Sequence, residues 1–209
     1  MSTKAQPVTD DKKSQDGNGK QQQNGKNMQN QNQNHDKGEQ TLKTLLEKGL
    51  KDIYSAEKQL VEALPEVAQA VDNEELEEAI NNHLEETQKQ VKRLEKAFER
   101  LGIEKGESEK CAAMEGLIEE TRKIIQEFSR GPVRDSALII GCQKVEHYEI
   151  ASYGSLCELC DVLGEERLGD LLGRSLEEEE DTDELLSEIA QDINDEAAEM
   201  FIQQEEEYR

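Results

Sequence analysis

From Leu42 onward the apolar residues return every three or four positions, and they keep that rhythm through four long segments. Such spacing puts them on one face of a helix and argues against strands, whose side chains alternate every second residue. Leu42, Leu46, Ile53, Leu60, Leu64, Val67 and Val71 mark a first helix ending near Asp72, where Asp72 and Glu75 have the spacing of a capping box for the next. Leu76, Ile80, Leu84, Thr87, Val91, Leu94 and Phe98 carry the second helix to Gly102, a residue suited to the left-handed position after a helix. Pro65 removes a backbone hydrogen bond from the first helix and is expected to kink it.

A shorter helix is predicted from about Ser108 to Phe128, with Met114, Leu117, Thr121, Ile124 and Phe128 inward, broken by Gly131-Pro132. The third long helix starts near Val133, aligns Leu138, Cys142, Val145, Glu149, Ser152, Leu156, Cys160 and Leu163, and stops at Gly164. The fourth carries Leu168, Leu172, Ser175, Glu179, Leu186 and Ile189 on one face. Two hairpins of long helices, joined by a connection with its own helix, describe an all-α, ferritin-like four-helix bundle with a long crossover carrying an extra short helix. A chain that is 3% aromatic, with no Trp and three Pro, agrees with helix over sheet.

The expected bundle occupies residues 41–191. Residues 1–40 are dominated by Gln, Asn, Gly and Lys, with too few apolar side chains for a core, and are expected to be a disordered tail. Residues 192–209 are expected to be a weak acidic C-terminal segment. The formal charge is −24, and since residues 1–40 balance to +1, the acidity belongs to the remainder. So acidic a surface repels nucleic acid and anionic lipid, and no partner of either kind is expected. Neither a signal peptide nor a membrane span is apparent. Four scattered Cys (111, 142, 157, 160) do not resemble a secreted disulfide framework and point to a cytoplasmic setting. Cys157 and Cys160 fall inside a predicted helix and read as buried small residues.

Glu57 and Glu86 lie 29 residues apart, and Glu149 and Glu179 lie 30 apart, about midpoints at Val71-Asp72-Asn73 and Gly164. Folded as hairpins, each pair brings two carboxylates to one level, which is how a bundle builds a dinuclear metal site. At 100° per residue Glu149 and Glu179 sit centrally on their stripes, Glu57 about 60° off, and Glu86 about 95° off. His83, between Ile80 and Thr87, lies well inside the second stripe. Glu146, about 80° away on the third long helix, reads as a terminal or supporting ligand, and Asp183 as a partner one turn after Glu179. His147 points to the opposite face and reads as a surface or interface residue. Buried carboxylates need compensation, either by protonation or by bound divalent metal, and two ions with four carboxylates supply it without raised pKa values. Carboxylate and imidazole ligands with open positions suit iron or manganese better than zinc thiolate chemistry.

The segments Asp52-Ile-Tyr-Ser-Ala-Glu57-Lys-Gln-Leu60, His83-Leu-Glu-Glu86-Thr87, Cys111-Ala-Ala-Met-Glu-Gly116 and Val145-Glu-His-Tyr-Glu149-Ile-Ala-Ser-Tyr-Gly154 resemble the YciF/YciE family of bacterial stress proteins, over about Leu42 to Ala190. The resemblance implies a dimeric ferritin-like bundle, related in fold to rubrerythrin and bacterioferritin, with a dinuclear metal centre. It assigns Glu57, His83, Glu86, Glu149 and Glu179 to positions facing that centre, with Asp183 at an acidic position one turn further. Di-iron relatives place a His three residues after the Glu of two helices, whereas Lys89 and Thr182 stand there in this chain. Three readings follow: a cytoplasmic stress protein binding two iron or manganese ions and acting on peroxide, oxygen or ferrous iron; a metal-free dimer acting through partner contacts; and an iron-storage shell, for which nothing in the sequence provides the assembly.

Overall fold

The computed structural model describes residues 40–104 and 109–207, with side chains as far as residue 203. Among them it holds five helices and no strand: α1 (Leu42–Ala70), α2 (Glu74–Leu101), α3 (Ala112–Glu127), α4 (Pro132–Leu163) and α5 (Glu166–Glu207). The expected tail, but for its last residue, and the expected start of the short helix at Ser108 lie outside the described residues.

Thr41 starts α1, its hydroxyl accepting the Thr44 amide at 3.1 Å. The helix runs on through Pro65 without interruption. Asn73, not Asp72, caps α2, with its Oδ1 accepting the Leu76 amide at 2.9 Å. The Asp72 carboxylate instead pairs with Arg130 at 2.6 Å. Glu74, Glu75 and Glu77 crowd the first turn of α2, where the positive end of the helix dipole favours them. α2 and α4 end as expected, at Gly102 and Gly164, whose φ values of 66° and 71° are left-handed.

α1 packs on α2 and α4 on α5, while α1–α4 and α2–α5 contacts join the hairpins and α3 lies across α1 and α4. The last turn of α2 meets the start of α5 through Arg100 and Glu165 at 3.7 Å. α3 runs alongside α1: the Cys111 amide donates to Ser55 at 2.9 Å, and farther along Arg122 reaches Glu66 at 2.8 Å. The crossover therefore travels from one end of the bundle to the other, as ferritin-like connectivity requires. Its contact with α4 is close, for a Cβ on Gly141 would come within 2.8 Å of the Thr121 hydroxyl.

The far end is knitted by polar groups. α1 has no basic residue in its last turn. Its terminal carbonyls are served from the α3–α4 junction, Arg130 donating to Gln69 at 2.7 Å and the buried Arg134 to Ala70. Asp135, in the first turn of α4, accepts the amides of Asp72 and Asn73 at 3.1 and 2.9 Å. α5 continues past residue 191, the expected limit of the bundle, into the acidic C-terminal segment and remains helical to Glu207. Ile189 and Ile193 are still buried, and beyond them Met200, Phe201 and Ile202 are exposed. No described helix is long and apolar enough to cross a membrane.

Candidate metal centre

Midway along the bundle the apolar core gives way to a layer of carboxylates. α1 supplies Glu57, α2 supplies His83, α4 supplies Glu146 and Glu149, and α5 supplies Glu179, all of them at most 4% exposed. His83, Glu146, Glu149 and Glu179 each offer a ligand atom, and these atoms all lie within 4.8 Å of one another. His83 Nε2 is 3.5 Å from Glu146, and Nδ1 is 3.9 Å from Glu179.

The layer is poor in hydrogen bonds. Both nitrogens of His83, both oxygens of Glu149, and one oxygen each of Glu57, Glu146 and Glu179 are buried without a hydrogen-bond partner. Buried polar atoms are nearly always partnered, so a cluster of orphans in one place fits a cation better than a packed core. The bonds that do exist orient single oxygens. Tyr153, fully buried, donates its hydroxyl to Glu57 Oε1. Gln90 donates to Glu179 Oε1 and also to Glu178 at 3.1 Å. Arg93 grips Glu178 with two bonds of 2.8 Å and reaches Ser175 at 2.7 Å.

Burial pushes the protein's central acids upward. Glu57 and Glu146 rise well above the usual carboxylate range by desolvation, reinforced by the Glu179 charge. Glu149 rises for the same reason, with repulsion from Glu57 next. Glu179 is raised to about 7, again mainly by burial. Burial lowers His83 to about 4, leaving a neutral imidazole at neutral pH, the form that binds metal. Cys142, next to Glu146, is pushed up to about 12 by burial and is no thiolate.

Of the residues singled out in the sequence, Glu57, His83, Glu149 and Glu179 meet in this layer, and Glu146 joins them as a fully buried member. Glu86 is turned aside. It is half-buried in a surface groove between α2 and α5, beside Asn82, Lys89, Asp181 and Thr182. Asp183 is also half-buried, its Oδ1 3.8 Å from the exposed His147 and, like the central atoms, buried without a hydrogen-bond partner. Cys160 is buried and Cys157 partly so. Two small cavities border Glu146. One, against α3, is walled by apolar side chains such as Leu60, Val67, Ile118 and Val145. The other contains His83 and Thr182 beside Ala79, Ile80 and Cys142.

Tyr153, Gln90 and Arg93 were not anticipated. Tyr153 follows Glu149 by four residues and Glu146 by seven, and Gln90 follows His83 by seven, so helical spacing offered a signal for both.

Residues 41–199 match a family described as Domain of unknown function (DUF892). Protein YciF of Escherichia coli strain K12 is 49% identical over 141 residues, covering 68% of this chain and 85% of that protein. The crystal structure of the E. coli stress protein YciF has a TM-score of 0.72 at 44% identity, covering 75% of this chain and 99% of that one. YcfI of Rhodopseudomonas palustris has a TM-score of 0.70 at 39% identity, covering 73% of this chain and 96% of that one.

Proposed function

The chain belongs to the DUF892 family, and on that premise we propose that it is a stress-response protein whose core binds two iron or manganese ions through Glu57, Glu146, Glu149, Glu179 and His83. The observation that carries this reading is the convergence of buried, hydrogen-bond-poor carboxylate and imidazole atoms within one layer. Four ionised carboxylates and a neutral imidazole balance two divalent cations in charge. Oxygen donors with a single nitrogen favour iron or manganese over a thiolate-preferring ion.

When bound, such ions would supply redox capacity toward peroxide, oxygen or ferrous iron. The side chains do the remaining work. Tyr153 fixes one oxygen of Glu57, leaving the other free as a donor. Gln90 does the same for Glu179 and is itself bound to Glu178, which Arg93 holds. Surrounding helices exclude water, which strengthens each electrostatic contact. Lys89 and Thr182, in place of the histidines of di-iron relatives, leave His83 as the one imidazole and support binding more than oxygen activation.

The deciding experiment is elemental analysis of protein purified without added metal, alongside a Glu149→Ala, Glu179→Ala double variant. Iron or manganese in the parent and its loss from the variant is the expected result. Negligible metal in both would remove this reading. Metal without turnover of peroxide or oxygen would leave binding and discard the enzyme.

A second reading, a metal-free dimer acting through partner contacts, draws on the raised pKa values, which allow the central carboxyls to stay protonated without a cation. Sedimentation at several concentrations tests the homodimer that belongs to both readings. A cytoplasmic setting, proposed from the free cysteines, is tested by cell fractionation.

A further inference from the structure

We propose that the groove between α2 and α5 is the port through which divalent cations enter the buried centre, with Glu86 as the carboxylate that first receives them. This rests on the metal-binding reading and adds to it a route and a second, transient site.

The groove is lined by Glu85, Glu86 and Asp181, with Lys89 as the basic member, and by Asn82 as a neutral oxygen donor. Acidic residues are abundant on this surface and mean little alone. What separates this group is its floor. His83 lines the groove, is only 4% exposed, and has no hydrogen bond at either ring nitrogen. A cation descending from Glu86 therefore meets an imidazole whose ring nitrogens make no hydrogen bond and lie 3.5 and 3.9 Å from Glu146 and Glu179.

The path continues past that point. Ala79, His83 and Thr182 line both the groove and the inner cavity, whose opposite wall includes Glu146. These three side chains form the partition between solvent and centre. Two of them are small, and the imidazole is not pinned by hydrogen bonds, so a modest turn of the ring would pass an ion from the groove toward Glu146 and Glu179. Thr182 keeps its hydroxyl on the Glu178 carbonyl at 2.9 Å. The α3 side offers no comparable route, because the cavity there, although it reaches Thr121, Cys142 and Glu146, has no surface carboxylate in its lining and is otherwise walled by aliphatic side chains, which cannot replace the water a cation sheds.

The geometry also accounts for Glu86. It has the sequence spacing of a core ligand but the rotation of a flanking residue, and at the mouth of this groove its carboxylate is useful outside the centre. A half-buried acid can take an ion from its hydration shell in stages, beginning with partial dehydration at the surface.

The test uses the full chain, stripped of metal with a chelator and mixed with Mn(II) at low ionic strength, following loss of the free-ion paramagnetic resonance signal. A Glu86→Gln, Asp181→Asn double variant should load at least ~10-fold more slowly than the parent, since local charge focuses cation encounter. It should reach the same bound Mn(II) at equilibrium. A Glu119→Gln, Glu120→Gln variant on α3 makes the same change in charge and should load within about 2-fold of the parent. Asn82→Lys, at an exposed position, should slow loading as well. Bound Mn(II) with equal rates in all variants overturns the port and leaves the centre standing. Lower metal content at equilibrium in the Glu86 variant also overturns it, by making Glu86 a ligand of the centre. A parent that binds no Mn(II) removes centre and port together.

Discussion

The α1–α2 hairpin brings one carboxylate and one imidazole to the centre, whereas the α4–α5 hairpin brings three carboxylates. Their glutamate pairs are nonetheless almost equally spaced, at 29 and 30 residues. Spacing about a turn sets the level of a side chain along the bundle; it does not set its rotation about the helix axis. Glu179 faces inward and its counterpart Glu86 faces a groove, while α4 adds Glu146 one turn before Glu149. The hairpins also differ at their turns. The first is held by side chains, Asn73 and Asp135, and the second by the left-handed backbone of Gly164.

The widest gap between the hairpins should appear in metal affinity. Glu146→Ala is expected to weaken Mn(II) binding on the order of 100-fold and Glu86→Ala less than about 3-fold, measured by titration calorimetry. The opposite order would restore the symmetric arrangement.

The pH dependence of metal-free stability comes next. Glu57, Glu146 and Glu149 hold their protons in the folded state above the ordinary carboxylate value of 4.5, so their contribution is complete below that value and is lost as pH rises through the folded pKa. Glu179 acts likewise, its contribution fading by about pH 7, while His83, lowered to about 4, contributes in the opposite sense between about 4 and 6.5. These two largely cancel, and the other three acids set the sign. Chelator-treated protein should therefore be less stable at pH 8 than at pH 5 in urea denaturation. Stability rising over that range would contradict the burial of charge in the α4–α5 half.

A smaller effect separates two substitutions to leucine. In metal-free protein at neutral pH, Glu149→Leu should stabilise by about 2 kcal/mol by removing a buried carboxyl, while Glu86→Leu should stay within about 0.5 kcal/mol. Smallest are the turns. Gly164→Ala should cost about 1 kcal/mol because alanine resists a positive φ, and Asn73→Gly only a few tenths, both read from thermal midpoints.

Helices, the Gly164 turn and the crossover were legible because each leaves a local mark: apolar spacing of three and four, Gly at the C-termini of α2 and α4, and Gly131-Pro132 before α4. Glu146 was harder to place. α4 packs against α1, α3 and α5, so its buried face is broader than a single stripe, and a centre drawn through Val145, Glu149 and Ser152 is displaced from the true one. Ser152 turns its hydroxyl back to the Tyr148 carbonyl at 2.7 Å, and Tyr153 takes the inward position. The length of α5 was missed because its last turns have little apolar burial. Glu, Ala and Gln sustain a helix by intrinsic preference where packing no longer dictates it. The fate of Asn73 and Asp135 was beyond local pattern, since the carboxylate that holds the first turn comes from 62 residues away.

That carboxylate alters how the molecule breathes. Amides in a surface turn ordinarily exchange their hydrogens with solvent after small local excursions. Those of Asp72 and Asn73 are clasped by Asp135, which belongs to the opposite hairpin. Fraying of the turn alone would not free them; the start of α4 has to draw away from the end of α1. Their deuterium uptake would thus time the parting of the two halves that share the carboxylate layer, with the turn serving as a clock for opening at the core.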